Sequence, residues 1–238
     1  MTETVAVICL MTPEEHIRAL NEKPELLKSC GRPAIDTQVE IRDDDDNPLP
    51  IGEVGQICAK GPQIMKGYWN KDEESQKALK GGWMHTGDAG RMDEEGFVFI
   101  QDRIKDMIVS GGENIYSTEV EAALFAHPDV IDAAVIGVPD EKYGEVVKAC
   151  IVKKEGSKVN EEDLINFCKD RIASYKKPQS IDFIDEVPRN ASGKVLKKVL
   201  REPYWKGQDR QVSEAVAVPP TVKFSINIVG CPTPTGTL

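Results

Sequence analysis

The sequence predicts an α/β protein of the α+β kind: a β-rich first part, then a small α+β module with a mixed sheet and flanking helices. Three observations carry this expectation. Up to Arg103, short β-prone runs alternate apolar and polar residues between Gly and Pro punctuation. After Arg103, such runs are interleaved with amphipathic helical segments over about a hundred residues, an ordinary size for a small domain. A charged link, QDRIKD, lies between the two patterns. The expected division is 1–102, a linker at 103–105, a module at 106–207 and a poorly ordered tail at 208–238.

Taken in order, residues 5–11 form an apolar, β-prone run without a basic flank. It is shorter than the roughly 20 residues that span a bilayer, so a buried strand is expected. Val39 and Ile41 alternate with polar neighbours in a second strand. The run Asp43–Asp46 lacks the sixth-position Gly and closing Glu of a calcium loop and predicts a hairpin turn. Val54 to Ala59 read as the next strand. NKDEESQKALKGGW reads as a helix stopped by Gly81 and Gly82. FVFIQDR is again a strand.

In the second part, DMIVSGG predicts a short strand ending in a Gly-rich loop. STEVEAALFAH predicts a helix opened by a Thr118–Glu121 capping box and ended by Pro128. VIDAAVIGVPD and EVVKACIVKK are strands. Residues 161–174 predict a helix with Leu164, Ile165, Phe167, Cys168 and Ile172 on one side. SIDFIDEV is a strand and KVLKKVLRE a last helix, with Lys194 opening it after a Ser-Gly turn. Past Arg210 the composition turns to Pro, Thr and Val with little charge and no periodicity.

Composition narrows the function classes. With 40% hydrophobic residues the chain can bury a core, and a net charge of −10 argues against general nucleic-acid binding. The exception is Arg189–Arg210, with seven Lys or Arg against Glu202 and Asp209. Such a stretch suits a polyphosphate ligand or a solvated helix face. Six cysteines, at 9, 30, 58, 150, 168 and 231, form no CxxC pair. Reduced thiols, and no zinc site, are the expectation. No transmembrane or targeting segment is visible.

Several residues have the chemistry of a nucleotide site. Lys194 would bring an ammonium group to a turn, beside free backbone N–H donors, where it suits a phosphate or a developing oxyanion. Asp88, in HTGD, could accept hydrogen bonds from both ribose hydroxyls, as acidic residues of dinucleotide sites do. Arg103 could pair with a phosphate, a ribose or a carboxylate. SGGEN and ASGK both lack the G-x-x-x-x-G-K-[ST] pattern, so this is not a P-loop protein. Each residue alone is as compatible with a surface turn or ion pair.

Jointly the segments say more. MTET, GWMHTGD, DRIKDMIVSGGENIYSTEVE and PRNASGKVLKKVLR occur in this order. Each resembles a core motif of the adenylate-forming (AMP-binding) enzymes, and the set is most similar to acyl-CoA synthetases of the fatty-acid–CoA ligase kind. The resemblance runs from Met1 to about Gln211 and places the chain in the last third or so of such an enzyme. Residues 1–102 would then be the end of the large AMP-binding domain and 106–207 the small mobile one.

The resemblance implies an AMP-forming acid–thiol ligase using ATP, Mg2+ and CoA. A carboxylate attacks the α-phosphate of ATP to give acyl-AMP and pyrophosphate, and the CoA thiol then displaces AMP. It assigns Thr2 to the α-phosphate, Glu3 to magnesium, Asp88 to the ribose with Arg103 beside it, and Lys194 to charge stabilisation in the first step. It puts Lys105 at the hinge and Ser110, Gly111 and Gly112 on the loop facing CoA. It also implies a small-molecule carboxylate substrate, no nucleic-acid partner and a cytoplasmic location, free or at a membrane surface; a homo-oligomer is compatible with the sequence.

These 238 residues hold no counterpart of the family's Gly/Ser/Thr-rich phosphate loop, its acyl pocket or most of its adenine pocket. The chain alone is therefore expected to be inactive. The contrasting expectation is a non-catalytic interaction or nucleotide-binding module. Among enzymes, aryl-CoA ligase and luciferase-like chemistry are alternatives. Acyl chain length is not legible without the pocket.

Overall fold

Two larger sheets, of four and five strands, divide the chain where the sequence changes its pattern. The structure, a computed structural model, describes residues 1–5 and 7–206. The tail expected at 208–238 lies outside the described residues.

The first sheet has four strands in the order β3-β4-β5-β6 and is antiparallel throughout. Its strands are β3 (Gln38–Arg42), β4 (Gly55–Lys60), β5 (Met84–Met92) and β6 (Val98–Arg103). Alternation in β3 sends Val39 and Ile41 inward, where they meet Ile57, Ala59 and Val98. Between β3 and β4, the Asp43 carboxylate accepts from the Asn47 backbone N–H at 2.8 Å and makes the expected tight turn. Trp83 lies 8% exposed beneath two cations, Arg42 at 4.3 Å and Lys60 at 5.8 Å from its ring centre. Helix α2 (Asp72–Ala78) follows β4, and Gly81 and Gly82 stop the chain after it with φ of 62° and 79°.

Among the described residues of 5–11, the expected buried strand is reduced to two residues. Val5 has φ 55° and breaks the run, and only β1 (Cys9–Leu10) is a strand. Its partner β2 (Arg32–Pro33) includes a proline, which cannot donate to a ladder. Val5 and Val7 are consequently 81% and 56% exposed. Helix α1 (Pro13–Asn21) follows, with a complete capping box: the Glu15 backbone N–H donates to Thr12 Oγ1, and the Thr12 N–H to Glu15 Oε2. Glu95, in the β5–β6 turn, ties α1 down through Arg18 and Lys23 at 2.5 and 2.7 Å.

The second sheet is mixed. Strand β10 (Gly144–Lys153) is its axis. Along one edge it pairs antiparallel with β9 (Val130–Asp140); it also pairs with β7 (Ile108–Ser110) at its start and in parallel with β11 (Ser180–Phe183) further on. Strand β8 (Glu113–Ile115) extends β7. Both faces are covered. Val135, Val147, Ala149 and Ile151 meet α3 (Ser117–Phe125) and α4 (Glu161–Lys169), through Val120, Leu124 and Leu164. Ile136, Val138 and Cys150 meet Leu200 of α5 (Lys197–Arg201) on the other face. Two-sided burial is why AAVIGV, residues 133–138, reads as an unbroken apolar run. Trp205, after α5, donates its Nε1–H to the Gly137 carbonyl at 3.0 Å.

Three local expectations are corrected. Helix α3 has Tyr116 at its N-cap and no side-chain cap of its own; the Thr118–Glu121 capping box does not form. Asp102 of β6 supplies the carboxylate instead, accepting from Ser117 N–H at 2.5 Å, Ser117 Oγ–H at 2.6 Å and Thr118 N–H at 3.4 Å. Second, SGGEN is no loop leading into a helix. It is a two-residue hairpin turn between β7 and β8, with positive φ at Gly111 and Gly112 as a primed turn requires. Third, α4 ends at Lys169, short of 174, although Ile172 still packs on the core.

Candidate active site

Asp88 lies within β5, at a bulge. Gln56 pairs with Ala89 and Cys58 with His85, so Ile57 alone faces Thr86, Gly87 and Asp88. Gly87 takes φ 74°, and buried Thr86 holds the bulge by donating to the Ile57 carbonyl at 2.8 Å and accepting from the Asp88 N–H at 3.1 Å. A bulge re-aims a side chain. Here it directs Asp88 to Arg103, its register partner at the end of β6, whose Nε–H donates to Asp88 Oδ1 at 3.3 Å. Both side chains stay partly open, 26% and 37% exposed. The sequence pointed to both residues; Thr86, which sets the angle, was missed.

Lys194 does not open a helix, and its own N–H is not free. Asn190 Oδ1 accepts from the backbone N–H of Lys194 at 2.8 Å and of Ser192 at 3.1 Å. The turn closes with the Asn190 N–H donating to the Lys194 carbonyl at 2.9 Å, and Gly193 has φ 81°. Arg189 fastens the turn to β9 through Asp132 at 2.8 Å and to the Gly193 carbonyl at 2.9 Å. Helix α5 begins only at Lys197. What this turn offers a ligand is therefore the exposed Lys194 ammonium on a braced loop.

Lys197, not singled out in the sequence, points the other way. Its ammonium donates to Ser117 Oγ at 2.5 Å and pairs with Glu121 at 2.7 Å, both contacts largely buried. Burial raises the Glu121 carboxyl despite Lys197 and a hydrogen bond from the Val135 N–H.

Lys105 is exposed, as a hinge residue should be, but its surroundings are not loose. It sits in a 3-10 turn, Ile104–Asp106, between buried Ile104 and Met107. Arg201 holds the turn, donating to the Lys105 carbonyl at 3.2 Å and pairing with Asp106 at 3.1 Å. Ala89, Ile104 and Tyr116 form a small apolar cluster beside it. Burial there pushes the Tyr116 phenol up to about 12.

Ser110 pairs with Gly144, and the Gly111 N–H donates to the Tyr143 carbonyl at 2.9 Å, so the hairpin tip is fixed from beneath. Thr2 is exposed at the chain start. Glu3 accepts from the Tyr68 hydroxyl at 3.1 Å, and its carbonyl from the Met65 N–H at 2.8 Å. Magnesium is usually held by one or two carboxylates plus nucleotide phosphates. A single, Tyr-oriented carboxylate fits an ion arriving with ATP. Among the described residues, no hydrogen bond or ion pair joins Lys194 to Asp88, Arg103 or Glu3. The candidate residues fall into separate groups on the two sheets.

No helix among the described residues is long and apolar enough to cross a membrane. Comparison with known proteins finds the AMP-binding enzyme profile at residues 1–69 and the AMP-binding enzyme C-terminal domain profile at 119–194. The chain is 40% identical to fatty acid–acyl-carrier-protein ligase ScoC of Streptomyces coeruleorubidus over 213 residues, which is 90% of this chain and 40% of that protein. It is 45% identical to a long-chain-fatty-acid–CoA ligase of Escherichia coli O6:H1 over 174 residues, 73% of this chain and 31% of that protein. Among solved structures it matches the o-succinylbenzoate–CoA synthetase MenE of Bacillus subtilis with its acyl-adenylate at TM-score 0.75 and 39% identity, covering 84% of this chain and 39% of that one. The same enzyme with ATP and a magnesium ion matches at TM-score 0.73. The chain thus spans less than half the length of these relatives, and within that span it belongs to the adenylate-forming, AMP-binding enzyme family, whose members here are ligases of carboxylic acids to CoA or to an acyl-carrier protein.

Proposed function

We propose that the chain is the ribose-binding and lysine-bearing part of an AMP-forming acyl–CoA ligase acting on a fatty or related carboxylic acid. It divides into residues 1–102, a hinge at 103–105 and a mobile module at 106–207. The observation that carries this is the Asp88–Arg103 pair, set at a bulge and left partly open. One carboxylate oxygen is fixed by Arg103, and the group is aimed and rigid enough to receive two vicinal hydroxyls.

The roles follow from what each group presents. Asp88 accepts from the ribose hydroxyls and Arg103 holds its orientation. Thr2 approaches the α-phosphate, and Glu3 offers a carboxylate to magnesium that accompanies the triphosphate. Lys194 brings a fixed positive charge on a braced turn to the α-phosphate and carboxylate oxygens, where charge develops during adenylation. Lys105 turns the module away, and Ser110, Gly111 and Gly112 then face CoA as a rigid tip. The B. subtilis relative has been solved with ATP and a magnesium ion and with its acyl-adenylate intermediate, which supports these ligands for the proposed site.

The missing phosphate loop leaves half the ligand shell to be supplied from outside these residues, so the chain alone should form no acyl-CoA from ATP, CoA and fatty acid. The test is a chimera in which this chain replaces the matching segment of the B. subtilis enzyme. It should form acyl-AMP, and Lys194→Ala should lower that rate by about 10²–10³-fold, the range for one preorganised charge-stabilising group. Thioester formation from supplied acyl-AMP should be largely spared. Equal loss in both steps would assign Lys194 to folding or substrate binding, and acyl-CoA turnover by the unassisted chain would reject the divided site.

A further inference from the structure

Three side chains of different chemistry converge where β4 pairs with the start of β5. Asp46 lies in the turn after β3, and Cys58 of β4 pairs with His85 of β5. One donor atom from each lies within 4.8 Å of the others. Cys58 is fully buried, and the Asp46 and His85 side chains are 14% and 13% exposed. We propose that Asp46, Cys58 and His85 bind a single zinc-like divalent transition-metal ion, with water as the fourth ligand.

The hydrogen bonding leaves a gap that a cation fills. The Gln56 side-chain oxygen lies 2.8 Å from His85 Nδ1, and an amide oxygen can only accept. With its proton on Nδ1 toward Gln56, the ring would present a lone pair on Nε2, the tautomer a metal ligand requires. Nε2 lies 3.4 Å from Asp46 Oδ1, and neither atom has a hydrogen-bond partner among the described residues. Arg42 approaches Oδ1 from another side at 3.3 Å, and a metal ion between Oδ1 and Nε2 would engage a lone pair of each. Ligands about 2.0–2.1 Å from one zinc ion, at a tetrahedral angle, stand about 3.3–3.4 Å apart. Cys58 Sγ lies 3.5 Å from Nδ1 of the same ring, and one donor atom of each of the three side chains lies within 4.8 Å of the others.

The charges and the donor types select the ion. Arg42 Nη1 lies 3.3 Å from Asp46 Oδ1 and would oppose a cation by itself. Arg42 is already engaged, however, by the Glu40 carboxylate at 2.7 Å and the Asp46 carbonyl at 2.9 Å. With Cys58 as thiolate, the two carboxylates and the sulfur balance Arg42 and a divalent ion. Sulfur and imidazole favour zinc over magnesium or calcium. Gln56 supplies the orienting contact that metal-bound histidines characteristically have. The ion would clip the β3–β4 turn onto the strand that carries Asp88.

The test uses the purified 238-residue chain, stripped with a chelator and titrated with zinc or cobalt. Zinc should bind at one ion per chain, and cobalt should give a thiolate-to-metal absorption band with tetrahedral visible bands. Cys58→Ser and Asp46→Asn should each remove the site. Asn suits the φ of 69° at position 46, so that variant should keep the fold, checked by circular dichroism, even where Cys58→Ser does not. Gln56→Leu should weaken zinc binding about 10–100-fold. A Cys9→Ser/Cys30→Ser chain should keep full binding. No zinc uptake by the parent chain would leave His85 Nε2 to a proton and overturn the proposal. Full binding by folded Asp46→Asn would overturn it too, by placing the ion elsewhere.

Discussion

Asp102 does two jobs with one carboxylate. It closes β6 by accepting from the Arg103 N–H at 2.7 Å and caps α3 of the other sheet through Ser117 and Thr118. At 5% exposure these bonds are shielded from water, and Lys197 adds a positive charge on Ser117. Charge-assisted hydrogen bonds of this kind contribute about 1.5–3 kcal/mol, and a lost helix cap costs about 1 kcal/mol. Asp102→Asn should therefore lower stability by about 1–3 kcal/mol, read from the denaturant midpoint of the half that carries α3. A shift within experimental scatter would mean that Lys197 and Ser117 hold the helix start without it. The sequence showed Asp102 only as a neighbour of Arg103, because a cap drawn from fifteen residues away leaves no local pattern. Asp88 is the converse case: its residue type was legible in HTGD, but the bulge that aims it depends on β4.

At the scale of elements, legibility follows locality. Strands β9 and β10, buried on both faces, were read directly from their apolar runs. Helix α1 was missed although Thr12, Pro13 and Glu15 are a full start signal, since only nine residues follow it. The second half of the β7–β8 hairpin was missed because three residues are too few to show alternation. The convergence of Asp46, Cys58 and His85 was invisible for a different reason: cysteine spacing along the chain says nothing about register across β4 and β5. Helix α1 also carries a pH dependence. Arg18 and Lys23 hold the Glu95 carboxyl down at about 2, well below its ordinary value of 4.5. A depressed folded-state pKa gives stability that is present above about 4.5 and lost as pH falls toward 2. Glu95→Gln should flatten the acid limb of the stability profile in that window and leave the neutral-to-basic limb unchanged in shape. A titration of Glu95 near 4.5, followed by NMR, would remove α1 from the acid-sensitive elements.

For the whole molecule, the decisive place is the short stretch between the sheets. Ile104 and Met107 are buried on either side of Lys105, and Arg201 reaches across to the Lys105 carbonyl. Rotation there means breaking these contacts, so it should pass between defined poses and not through a slack linker. Proline at 105 fixes φ near −65°, removes an N–H and disfavours the helical region for Ile104. In the chimeric enzyme, Lys105→Pro should retain one half-reaction and depress the other, measured by single-turnover kinetics of acyl-AMP formation and of thioester formation. Slowing of both alike, or of neither, would make Lys105 an ordinary surface lysine.

The placement of the tryptophans turns this junction into something that can be watched with light. Trp83 lies under Arg42 in the first sheet, Trp205 is bonded to Gly137 in the second, and Trp69 is 89% exposed. With Trp69 replaced by Phe, chains that keep only Trp83 or only Trp205 become separate lamps for the two halves. While Asp102 bridges the sheets, both lamps should change at one denaturant concentration, as a single cooperative unit requires. In an Asp102→Asn background the two curves should part, and the gap between them would measure how firmly one half of the molecule feels the other.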